Sequence, residues 1–148
     1  MSIETIALDL EGTLISNAVS QIPRPGLWEF LELCLSVTQR VVMFTTVPED
    51  RFRKIASGLV SEGVAPGWLS TIEYVHWEGK TKNLECIADC DIDSTVLVDD
   101  YEIYIEPGQE ENWIEIQQFS HPYSENDAEL ARVGRILKAK AVNGQKGR

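Results

Sequence analysis

Basic residues are scarce in this chain. Its 13 lysines and arginines face 24 aspartates and glutamates, a net charge of −11. A nucleic-acid surface needs clustered Lys and Arg, so this balance argues against such a partner. Long apolar runs are also missing. No stretch reaches the roughly 18 consecutive apolar residues of a membrane span, and Met1-Ser2-Ile3-Glu4 has no basic n-region. Neither a span nor a secretory signal is therefore expected. Cysteine is sparse and odd in number: Cys34, Cys86 and Cys90, with no Cys-x-x-Cys. That count predicts reduced thiols in a cytoplasmic protein. Cys86 and Cys90 would share a helical face, but two ligands do not make a zinc site, and core packing is their expected role. Internal repeats and linkers are absent. What remains is 148 residues, 43% of them apolar and 25% charged, an ordinary soluble composition and enough chain for one core but not two.

The most informative stretch runs from Ile3 to Leu14. Ile3, Ile6, Ala7, Leu8 and Leu10 form a nearly continuous apolar run, which suits a central strand buried on both faces. It gives way to Asp9, Glu11, Gly12 and Thr13, and carboxylates at the end of a central strand lie where open α/β sheets place their chemistry. Beyond the loop ending in Arg24-Pro25-Gly26, a first helix is predicted from Leu27, Phe30, Leu31, Cys34 and Leu35, one face of a 3.6-residue period. Arg40 to Phe44 reads as a second strand, ending at Thr45 and Thr46. Pro48 stops it, and Glu49 and Asp50 open a second helix with a stripe of Phe52, Ile55, Ala56, Leu59 and Val60.

A third strand is predicted over Ile72–Trp77 and a third helix over Thr81–Ala88. Another buried strand, Thr95–Val98, ends at Asp99-Asp100. A short strand over Trp113–Ile116 and a helix marked by Leu130, Val133 and Leu137 close the chain. Strand and helix alternate throughout, so the expected fold is α/β: a Rossmann-like parallel sheet sandwiched by helices. One domain is expected over residues 1–142, with 143–148 a frayed tail.

In a parallel sheet Asp9, Thr45 and Asp100 all face the same edge. Carboxylates converging there cannot all stay ionised and unpaired, and a hard cation such as Mg²⁺ is the usual resolution. Lys80 or Lys82 reaches the same edge. Mg²⁺-binding carboxylates, a hydroxyl and an ammonium group form a phosphoryl-binding set, and one ionised carboxylate can attack phosphorus to give an aspartyl-phosphate.

The order of these motifs resembles the haloacid dehalogenase superfamily. Within it the chain is similar to phosphatases of the RNA-polymerase C-terminal-domain and NLI-interacting-factor type. Arg24-Pro25-Gly26-Leu27 with Phe30-Leu31 matches that group's Arg-Pro-Gly…Phe-Leu signature. Val42-Met43-Phe44-Thr45, Lys82-Asn83-Leu84 and Val98-Asp99-Asp100 resemble its later motifs. Glu111-Asn112-Trp113-Ile114-Glu115-Ile116 echoes a stretch that follows them.

The resemblance implies a Mg²⁺-dependent phosphomonoester hydrolase. Asp9 would be nucleophile and metal ligand. Glu11 would be acid/base, its backbone carbonyl a second ligand. Thr45 would hydrogen-bond the phosphoryl group and Lys82 would steady its charge. Asp100 would complete the metal site with Asp99 beside it, and Thr13 would support the loop. Between Asp9 and Thr45, and between Thr46 and Lys80, no cap domain fits. Capless members resembling this chain tend to act on large substrates such as phosphoproteins.

The chain departs from the group in one motif, carrying Asp-x-Glu-Gly-Thr where the group has Asp-x-Asp-Glu-Thr. Glu is one methylene longer than Asp, about 1.5 Å if uncompensated, and misplacement on that scale can cost about a hundredfold. A catalytically weak or inactive binding module of the same fold is therefore the alternative. A receiver-like phosphoacceptor has the reverse motif order. Other signals are bland: Asp89, Asp91 and Asp93 lack the Gly and Glu of a Ca²⁺ loop. His76, His121 and the four tryptophans read as structural or surface residues, and the acidic residues from Glu106 to Glu111 read as a solvated loop.

Overall fold

The computed structural model describes residues 2–146, without the side chains of 144–146. Five strands form one sheet: β1 Thr5–Leu8, β2 Arg40–Met43, β3 Glu73–Tyr74, β4 Thr95–Asp99 and β5 Trp113–Glu115. All neighbours are parallel, in the order β3-β2-β1-β4-β5. The apolar run that opens the chain thus lies at the centre of the sheet. Thr5 pairs with Arg40 on one side and Thr95 on the other, and every β1 residue is buried. The chain winds outward from β1 in one direction and then, from β4, in the other. The crevice at the carboxyl ends of β1 and β4 is the topological switch point, where open α/β sheets bind ligands.

Three helices accompany the sheet: α1 Leu27–Val37, α2 Glu49–Ser61 and α3 Glu129–Lys146. The α/β, Rossmann-like arrangement expected from sequence is therefore present. Between β1 and β2 there is only a loop and α1, and between β2 and β3 only α2 and a short 3-10 turn at Gly67–Thr71. Neither connection holds a cap domain. The closing helix α3 continues to Lys146, past Asn143; of the expected tail, Gly147 and Arg148 lie outside the described residues.

Strand side chains alternate between faces, and the two faces are covered differently. Ile6, Leu8, Val41, Met43, Val96 and Val98 pack with the apolar stripes of α1, α2 and α3 in one large core. Ala7, Val42, Phe44 and Leu97 face a smaller core, closed by Val75, Leu84 and Ile87. No helix covers this second face among the described residues.

The helix expected over Thr81–Ala88 is only a 3-10 turn, Leu84–Cys86. Its backbone groups are committed elsewhere. The Lys82 amide donates to the Tyr104 carbonyl at 2.7 Å and the Leu84 amide to Gln109 Oε1 at 2.9 Å. Arg40 takes the Ala88 and Asp89 carbonyls. These partners hold the ends of the segment. Inside it the Glu85 amide is taken by Asn83 Oδ1 at 2.9 Å, while the Cys86 and Ile87 amides bond three residues back, to Asn83 and Leu84, so the spacing of an α-helix is not kept. The strand expected over Ile72–Trp77 is shorter, β3 over Glu73–Tyr74, with the Val75 amide still donating to the Met43 carbonyl at 2.9 Å.

Candidate active site

Asp9 continues the line of β1, its amide donating to the Val98 carbonyl at 3.0 Å. The chain then folds back at once: the Leu10 carbonyl accepts the amides of Leu14 at 2.9 Å and Ile15 at 3.2 Å. This turn returns the Thr13 hydroxyl to Asp9, where Oγ1 donates to Oδ2 at 2.8 Å. Behind it lies Arg24, fully buried. Its guanidinium donates to the carbonyls of Gly12, Thr13 and Gln117 and pairs with both oxygens of Asp127. The turn that presents Asp9 is thereby tied to two distant segments.

Strand alternation decides what meets Asp9. Leu97 faces the second core, so Asp99, two residues on, faces the same side. Lys82 arrives there from the irregular segment covering that face. Its ammonium lies 2.8 Å from Asp9 Oδ1 and 2.6 Å from Asp99 Oδ2, and 5.1 Å above the Tyr104 ring. Burial pushes the Lys82 ammonium down, but the charges and hydrogen bonds of Asp9 and Asp99 outweigh it and hold it above its ordinary value. The second Asp99 oxygen accepts the Tyr101 amide at 2.9 Å, so both its oxygens are occupied.

Asp100 points the other way. Its Oδ1 lies 3.3 Å from the Thr13 hydroxyl, and its Oδ2 sits so close to Gly12 that a Cβ there would lie 2.3 Å away. Gly12 has φ +74°, a conformation glycine adopts without steric cost. Asp9, Asp99 and Asp100 each offer a carboxylate oxygen within 4.8 Å of the others. Three carboxylates thus meet one ammonium. Asp100 shows the consequence: burial, then the hydrogen bond and charge of Asp9, push its carboxyl up to about 8. Asp99 is pushed up to about 6, by burial first and the Asp9 charge second. An oxygen-rich site with uncompensated negative charge is the donor set a hard dication takes, so these residues fit Mg²⁺.

A hollow of about 260 Å³ opens over this cluster, lined by Asp9, Glu11, Thr46, Asp100 and Tyr104 among others. Glu11 turns its carboxylate toward the following loop, where Oε2 accepts the Ala18 amide at 2.7 Å. Thr45 is buried. Its hydroxyl accepts the Val47 amide at 3.1 Å and its carbonyl accepts the Trp77 indole N–H at 2.8 Å. It lines a neighbouring hollow, whereas Thr46 lines both.

The structure therefore brings Asp9, Lys82 and Asp100 together, sets Glu11 at their rim, and leaves Lys80 exposed at the surface. Sequence reasoning missed the contributions of Arg24, Thr46 and Tyr104. Arg24 stood inside a quoted motif, and a buried arginine there could have been anticipated. Tyr104 carried no local signal.

No curated protein matches the chain. A family model does, over residues 4–147, and its description is NLI interacting factor-like phosphatase. That span takes in all five strands, the two aspartate-bearing strand ends of β1 and β4, Lys82 on the irregular segment, and the buried Arg24. The chain belongs to the NLI interacting factor-like phosphatase family.

Proposed function

We propose that this phosphatase-family chain hydrolyses phosphomonoesters through an aspartyl-phosphate on Asp9, with Mg²⁺, and that its substrates include phosphoproteins. The observation that carries the reading is the Lys82 ammonium, buried and held 2.8 Å from the Asp9 carboxylate. An ammonium placed there neutralises charge on an incoming phosphoryl group at the atom that would attack it. Asp99 holds the ammonium in place from behind.

In the first step an Asp9 oxygen forms a bond to phosphorus as the bond to the leaving oxygen breaks. Glu11, at the rim of the same hollow, gives the leaving oxygen its proton. In the second step water attacks phosphorus. Glu11 takes back a proton, the bond between phosphorus and Asp9 breaks, and inorganic phosphate leaves. Thr13 fixes the Asp9 carboxylate through its 2.8 Å hydrogen bond, and Lys82 holds the phosphoryl oxygens through both steps. Asp9, Asp100 and the Glu11 carbonyl would hold Mg²⁺, which cancels repulsion between carboxylate and phosphate.

The inactive-module alternative rested on Glu11. The bond from the Ala18 amide fixes that longer side chain at the rim of the hollow that Asp9 also lines, which supports the active reading. The open hollow, with no cap over it, supports a large substrate. The test is turnover of an aryl phosphate with and without Mg²⁺, for wild type and Asp9→Asn. Wild type should turn over only with Mg²⁺, and Asp9→Asn should fold normally and lose turnover. Activity retained in Asp9→Asn would remove the nucleophile assignment.

A further inference from the structure

Exposed apolar side chains occur on the loops that form the mouth of the phosphate hollow. Val19 is 82% exposed, Tyr101 51% and Ile103 64%. They lie on the two loops whose Asn17 and Tyr104 line the hollow.

Beside this mouth lies a second hollow of about 850 Å³, lined by Thr45, Thr46, Tyr74, His76, Trp77 and Glu78 among others. Thr46 lines both hollows. The Trp77 ring meets the Tyr104 ring of the first edge-on, centroids 6.4 Å apart. A substrate with its phosphate at Asp9 therefore has its neighbouring atoms over this cleft.

The cleft is both aromatic and acidic. The Tyr74 and His76 rings stand 5.1 Å apart. Glu78 lines it, and the Glu49 carboxylate lies 3.5 Å from His76 Nε2. The charge of Asp50 acts on Tyr74, and those of Glu85 and Glu106 act on Cys86, which also lines the cleft. Against these carboxylates stand Arg53, already paired with Glu49 at 3.0 Å, and Lys80, next to Gly79 of the lining.

We propose that this cleft is a specificity subsite for a cationic side chain, Arg before Lys, flanking the phosphorylated residue of a peptide substrate. The proposal rests on the phosphatase reading above. A guanidinium stacks on aromatic rings and pairs with carboxylates at the same time. A neutral flank gains neither contact. An acidic flank meets the cleft carboxylates and the field of a chain with net charge −11.

The experiment measures kcat/KM on one phosphopeptide carrying Arg, Ala or Glu in turn at each flanking position. Wild type and Glu78→Lys are compared, with p-nitrophenyl phosphate as a substrate that carries no cationic flank. At low salt the best Arg peptide should exceed its Ala counterpart by about fivefold or more, and Glu should fall below Ala. In Glu78→Lys the Arg preference should disappear, read as a ratio within that variant. Equal rates for the three peptides, or an Arg preference that survives Glu78→Lys, overturns the subsite. So does faster turnover of sugar phosphates or nucleotides than of every peptide. In those cases p-nitrophenyl phosphate hydrolysis still stands for the phosphatase reading, whereas its absence in wild type sinks both.

Discussion

At Gly12 the backbone has φ +74°, and the space a Cβ would fill is taken by Asp100 Oδ2. Two costs follow for Gly12→Ala. The left-handed conformation costs about 1 kcal/mol for any residue with a Cβ, and the new methyl group collides with a carboxylate proposed to hold Mg²⁺. Turnover and Mg²⁺ affinity should fall together, by tenfold or more on the scale of about 1.4 kcal/mol per decade. Isothermal titration and an aryl phosphate assay check this, and wild-type Mg²⁺ affinity in the variant would detach Gly12 from the site. The adjacent acidic pair should separate by function. Asp100 keeps an oxygen toward the hollow, whereas both Asp99 oxygens are engaged by Lys82 and Tyr101. Asp100→Ala should therefore weaken Mg²⁺ binding, and Asp99→Ala should chiefly lower turnover by releasing Lys82. A larger loss of Mg²⁺ affinity at Asp99 would exchange the two roles. The Asp-Asp pair was plain in the sequence, and the alternation of β4 explains why one member faces the buried lysine and the other the opening.

The element that presents Asp9 is a turn, and its position depends on a single buried cation. Arg24 bridges the Gly12–Thr13 backbone, the Gln117 carbonyl and Asp127, which is 103 residues away in the chain. It also lies 5.3 Å from the centre of the Phe119 ring. Removing one member of a buried, hydrogen-bonded ion pair costs about 3–5 kcal/mol. Arg24→Met should lower stability by that order in urea denaturation, and should slow turnover although Arg24 touches no reacting atom. Unchanged stability would mean that solvent or a neighbour replaces its bonds. Among the elements, the helices α1 and α2 were legible because their apolar stripes repeat locally. The segment from Thr81 to Ala88 carried enough of the same spacing to read as a helix. It is not one: the Asn83 side chain takes the Glu85 amide, the Cys86 and Ile87 amides bond three residues back, and Tyr104, Gln109 and Arg40 hold the segment's ends. No window of sequence contains those last three partners.

Across the whole molecule the acidic cluster links stability to pH. Asp100 is raised to about 8 and Asp99 to about 6, against about 3.9 for an unfolded aspartate. Between those values the folded protein holds protons that the unfolded chain has released. Metal-free stability should therefore fall as pH rises, through both groups up to about pH 6 and through Asp100 up to about pH 8. Mg²⁺ competes with those protons, so the gain in melting temperature from Mg²⁺ over EDTA should widen across the same range. A pH-independent difference between the two conditions would refute the linkage. At this scale the sequence by itself determined the α/β class, the parallel sheet, the central place of the opening strand, and the gathering of Asp9 and Asp100 at one edge. Continuous apolar runs and the geometry of parallel crossovers are enough for that. Only the tertiary structure decided that Lys82 and not Lys80 meets Asp9, that Asp99 braces it, that Thr46 walls the hollow, and that irregular chain covers the second face. Each of these depends on contacts between residues far apart in sequence, as Lys82 and Asp9 are, 73 residues apart. Such pairings are selected by burial and charge in the assembled core, and local periodicity carries no record of them.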